Sequence, residues 1–291
     1  DNLSTALLMG AVVMAIGQQN IKFVTVGCIN VVVAANAGGA FSPFGDITTL
    51  MVWQQGIIEF SGFLLLFIPA LISWVVPACL MSFAIEKGSP SAERRNEQRN
   101  MKPGAMPILA LFLLTIVLAI CCHSFLHLPS VLGMMTGLGI LKLYGYYLSR
   151  HETNIRDTGH IHNHHIENLT DMRQMKGDHT DVIRRFDIFQ VVERSSWDTL
   201  MFFYGVVLSV GGLATLGYLG LLSDLIYNSL GPTLANSLIG VISSLIDNIP
   251  VMFAVLTMQP EMSTNQWLLV TLTTGIGGSL LSIGSAAGIA L

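Results

Sequence analysis

Long apolar blocks dominate this chain, and two polar stretches separate them. A helix needs about 20 apolar residues to cross the hydrocarbon core of a bilayer. The runs 62–84, 106–125, 130–148 and 200–222 meet that length without interruption. The runs 1–16, 23–53, 234–258 and 267–291 are broken by Gly, Pro, Asn or Asp and hold nearly all the polar residues at membrane depth. The pattern predicts an all-α polytopic membrane protein with discontinuous helices.

The polar stretches, 86–104 and 149–196, fix an orientation. The first carries Lys87, Arg94, Arg95, Arg99 and Lys102, so the positive-inside rule puts it in the cytoplasm. The run 106–125 then goes out, residues 127–129 turn, and 130–148 returns. The second stretch, with Arg150, Arg156, Arg173, Lys176, Arg184, Arg185 and Arg194, falls on the same side. Two charge counts therefore agree. Tracing on in both directions, the segment at Asp1-Asn2 opens to the cytoplasm and the segment at Asn248 enters from outside.

Composition strengthens the membrane reading. Mean hydropathy is +0.63. Only 11% of residues are charged, against about a quarter in soluble domains. Lys22 is the single basic residue outside 87–194, and none follows Arg194. The net charge of -4 gives no footprint for nucleic acid. Cys28, Cys79, Cys121 and Cys122 all sit in apolar segments, as packing residues would. The chain opens at Asp1 and ends inside an apolar run at Leu291. An internal piece of a longer protein is expected, one that does not transport alone.

The broken runs repeat one another. Asp1-Asn2-Leu3 matches Asp247-Asn248-Ile249, and residues 38–46 align without a gap against 277–285. Gly38, Gly39 and Gly45 then fall on Gly277, Gly278 and Gly284. With opposite topologies, this predicts inverted repeats with discontinuous helices, whose breaks meet at a substrate site near the midplane. Such breaks survive in lipid only where the freed backbone groups line a polar cavity. The six glycines permit unwinding and Pro43 enforces it. The expected organisation is 1–85 as part of a first repeat, 86–104 as a cytoplasmic loop, and 105–291 as a truncated second repeat containing the loop 149–196.

A carboxylate at membrane depth is a functional residue by default. Asp1, Asp46, Asp247 and Asp198 qualify. Asp46 closes the first break and leads into Thr48-Thr49, and Asn36 opens it. In the second half Asn248, Ser282 and Ser285 offer neutral oxygens, and Ser243 lies one helical turn before Asp247. These oxygens suit a hard cation. A carboxyl kept from water holds its proton more firmly and can release it when a cation arrives, the simplest form of antiport. Blander roles stand beside these. Asp1 and Asp247 also suit helix capping, Asp198 suits N-terminal helix stabilisation, and Thr48 and Thr49 suit satisfaction of backbone groups. Asp224, Glu261 and Glu59 sit where water reaches. His160, His162, His164 and His165 admit metal binding or pH sensing, though a solvated loop is the favoured reading.

The run from Ala35 to Trp53 resembles the signature of NhaD-type sodium/proton antiporters of the ion transporter superfamily. Asp1 to Ala6, Trp197 to Leu200, and Ser243 to Pro250 are similar to that family too. The resemblance implies re-entrant hairpins with Asp-Asn near their tips and exchange of sodium or lithium for protons. It implies no cofactor, no enzyme activity, and a multi-pass homodimer embedded in the lipid of the bacterial inner membrane. By motif it implicates Asp1, Asn2, Asn36, Asp46, Thr48, Thr49, Asp198, Ser243, Asp247, Asn248, Ser282 and Ser285. Arsenite or dicarboxylate transport in the same superfamily is one alternative, and metal sensing through the histidines is another. Against a dicarboxylate, acids stand at both hairpin tips, where they repel an anion.

Overall fold

The computed structural model describes residues 2–17, 20–85, 105–163, 197–281 and 284–291, and among these every regular element is helical. The chain divides into two compact units, 1–96 with 197–291, and 97–196.

In the first unit, α1 (Asn2–Gly17) packs along α2 (Ile21–Gly39). The Asn20 side chain caps α2 by accepting from the Phe23 amide at 3.0 Å. After an irregular break comes α3 (Ile47–Gln54), then a 3₁₀ turn (Phe60–Leu66) that runs into α4 (Phe67–Ser82). Rings hold the break in place. Phe44 meets Trp53 edge-on at 5.4 Å, Trp53 meets Phe60 at 6.2 Å, and Phe41 meets Phe67 at 5.5 Å. Apolar side chains such as Ile68, Ile72 and Leu80 stay exposed along α4, as a lipid-facing helix requires.

The second half of this unit begins with α7 (Trp197–Thr215), followed by α8 (Tyr218–Ser223) and a π-helical turn (Asp224–Asn228). The run 200–222 therefore differs from the uninterrupted span expected of it. The two pieces meet at 83°, because Gly217 takes φ 81° and turns the chain there. Next come α9 (Pro232–Ile242), α10 (Asn248–Met258), α11 (Thr264–Gly277) and the short α12 (Ala286–Ala290). Gln259, left-handed at φ 46°, stops α10 just before Pro260. At 11 residues each, α9 and α10 rise about 16 Å, roughly half the hydrocarbon core.

The second unit contains α5 (Ala105–Ser124) and α6 (Ser130–Asn163). Gly133 and Gly137 let α6 approach closely: a Cβ at Gly133 would come within 2.6 Å of the Ala119 Cα. Small residues at such contacts are how helices associate in lipid. Among the described residues, three helical segments are long and apolar enough to cross a membrane, Ile21–Gly39, Phe60–Ser82 and Ala105–Ser124, with the bent pair at Gly217 as a further candidate.

Candidate ion-binding site

Both breaks are built alike. A Cβ on Gly45 would run into the Gly39 carbonyl, and one on Gly278 into the Gly284 carbonyl. Only glycine allows the two ends of each break to close this tightly. Asp46 and Ser285, the last residues of the breaks, both have extended backbone (φ -137° and -153°) and both serve as N-caps, of α3 and α12. The helices after the breaks then pack crosswise. The helix α3 lies against α10, and α12 lies against α1.

Asp46 is the centre of the first cluster and is 8% exposed. Its Oδ1 accepts from the Ile47 amide at 2.7 Å. Its Oδ2 accepts from Thr48 Oγ1 at 2.7 Å and from Asn248 Nδ2 at 2.9 Å. The tip of one broken segment thereby reaches the acid of the other. No Lys or Arg pairs with Asp46 among the described residues. Asp247 stands at the N-terminus of α10, close enough for the two carboxylates to repel one another. Its Oδ1 is buried without a hydrogen-bond partner among the described residues. A buried oxygen left in that state is costly, and a cation shared between the two acids would relieve it.

The second cluster surrounds Ser285. Asn36, 1% exposed, donates from Nδ2 to Ser279 Oγ and to Ser285 Oγ, both at 2.9 Å. Its Oδ1 accepts from Asn2 Nδ2 at 3.0 Å. Ser285 Oγ also accepts from the Gly288 amide at 3.2 Å.

Two other candidates serve backbone groups. Thr49 Oγ1 accepts from the Asp46 amide at 3.3 Å and shares its own proton between the carbonyls of Asp46 and Ser42. Ser243 Oγ donates to the Thr274 carbonyl at 2.9 Å. Gly38, Gly39, Pro43, Gly45, Gly277, Gly278 and Gly284 all fall in or beside the breaks. Asp1 and Ser282 lie outside the described residues, as does the side chain of Asp198, whose backbone belongs to α7. The histidine stretch has no described side chains. Ser279 was not singled out from sequence. It stands opposite Ala40 in the aligned breaks, and that gain of a hydroxyl was the available signal.

A buried acid with no basic partner among the described residues, held where two broken helical segments meet in an all-helical membrane protein, is an arrangement that suits a secondary transporter. A family model described as citrate transporter matches residues 1–154 and 165–275. The Na(+)/H(+) antiporter NhaD of Alkalimonas amylolytica is 56% identical over all of this chain and 59% of its own length. That of Vibrio parahaemolyticus is 53% identical over all of this chain and 69% of its own length. Sodium/proton antiporter 1 of Arabidopsis thaliana is 30% identical over 47% of its own length. The chain belongs to the NhaD-type antiporter family, a family of transporters and not of enzymes. It spans about three fifths of the length of the first of these relatives. No solved structure matches it.

Proposed function

We propose that the full-length protein exchanges sodium for protons across the bacterial inner membrane, with Asp46 as the carboxylate for which the two ions compete. The observation that carries this is the meeting of Asp46, Thr48 and Asn248 around one buried carboxylate oxygen. Protonated, the carboxyl is neutral and can cross with its domain. Deprotonated, it presents oxygens to sodium. Rotation of the Asn248 amide exchanges its donor for its acceptor, so one residue can hold the empty carboxylate or ligate the ion. The short α9 and α10 fit a re-entrant hairpin that carries Asp247-Asn248 to the midplane. Their counterpart at Asn2 and the cytoplasmic loops complete an inverted-repeat carrier. Lithium, a similar hard ion, is a second substrate in this proposal, and the homodimer belongs to it too.

A citrate or other anionic substrate fits the site poorly, because two carboxylates lie within repelling distance there and no basic side chain joins them among the described residues. The test is sodium-induced proton efflux from everted vesicles of an antiporter-deficient strain expressing the full-length protein. Sodium- or lithium-dependent exchange between about pH 6 and 9 is expected. No exchange across that range contradicts the proposal.

A further inference from the structure

The two breaks share their glycines and their caps but differ in what stands beside the capping residue. Extending the alignment of 38–46 with 277–285 by a few residues places Asn36 opposite Gly275 and Thr48 opposite Ala287. At Ser285, the counterpart of Asp46, the Asn36 amide fills the adjoining space and spends both N–H groups on Ser279 and Ser285. Ala287 is fully buried in an apolar cluster with Ala6, Val32 and Ala35. At Asp46 the same position in the pattern belongs to Gly275, buried on α11. A Cβ there would lie 3.7 Å from Asp46 Oδ2 and 3.9 Å from Thr48 Oγ1, with no other atom of the described residues outside its own helix inside 4 Å.

We infer that Gly275 keeps open the room for the transported cation beside Asp46, and that Asn36 closes the pseudo-equivalent room beside Ser285, so the two halves of the fold supply one cation site. The oxygen that a Cβ on Gly275 would approach, Asp46 Oδ2, is the one on which Thr48 and Asn248 converge. A donating NH2 group in the second room satisfies the serine oxygens that a cation would otherwise need. Gly275 is thus a specificity-determining position, since the room it leaves limits the size of the ion. This rests on the cation-exchange reading above.

The test uses the full-length protein with Gly275→Ala. Its methyl group meets nothing closer than ordinary van der Waals contact, so the variant is expected to fold with an unchanged melting temperature. One methyl in a fitted pocket changes discrimination by roughly tenfold or more. In everted vesicles, KM for sodium is expected to rise by about that factor, with a smaller rise for lithium, the smaller ion. A merely structural effect would move both ions together. Wild-type exchange with an unchanged sodium-to-lithium KM ratio in Gly275→Ala overturns this inference and leaves the exchange reading intact. Failure of Gly275→Ala to fold overturns it as well, because no room would then exist. Absence of exchange in the wild type overturns the exchange reading itself.

Discussion

The Asn248 amide donates to Asp46 Oδ2 at 2.9 Å across 202 positions of sequence. It ties the end of one helix break to the tip of a segment from the other half of the chain. Removing the amide leaves a buried carboxylate short of a charge-assisted partner, worth about 1.5–3 kcal/mol. In Asn248→Ala, KM for sodium in vesicles is expected to rise roughly 10- to 100-fold. A KM within twofold of wild type removes Asn248 from the site.

Thr48 and Thr49 are neighbours with different work. Thr48→Val removes the hydroxyl on Asp46 Oδ2 and is expected to raise KM for sodium while leaving the melting temperature nearly unchanged. Thr49→Val removes the partner of the break's own backbone. It is expected to lower stability by about 1 kcal/mol, with a smaller effect on KM. The opposite pairing of KM and melting temperatures in the two variants contradicts these assignments.

Gly45→Ala drives a methyl group into the Gly39 carbonyl. Overpacking of this kind typically costs about 1–3 kcal/mol. The variant is expected to elute as aggregate, or to melt lower, in detergent. Gly38→Ala meets no atom of the described residues outside its own helix within 4 Å and is expected to behave as wild type, so the pair separates steric closure from a general intolerance of the break.

Competition for one carboxylate sets a pH dependence. As pH rises, a smaller fraction of sites holds a proton, and the apparent KM for sodium falls. The limiting slope is about tenfold per pH unit for one proton displaced. A KM independent of pH from 6 to 9, the vesicle assay's range, means that the two ions do not share a site.

The sequence showed Asp46, Asn248 and both glycine breaks because each violates the apolar pattern around it. Charges, amides and paired glycines stand out against lipid-length runs. The bend at Gly217 was hidden, since a glycine in an apolar run carries no sign of its φ. The separate duties of Thr48 and Thr49 were hidden too. Both are hydroxyls after the same acid, and only the cap geometry sends one to the carboxylate and the other to the backbone. Gly275 was invisible for the opposite reason: its contribution is the space beside Asp46 Oδ2, and a vacant volume leaves no polar mark in a sequence.

Calorimetry on purified full-length protein, in two buffers of different ionisation enthalpy, counts sodium bound and protons released together. Sodium binding with proton release in the wild type, and neither in Asp46→Asn, is the result predicted by competition at Asp46. Sodium binding with undiminished proton release in Asp46→Asn would contradict it.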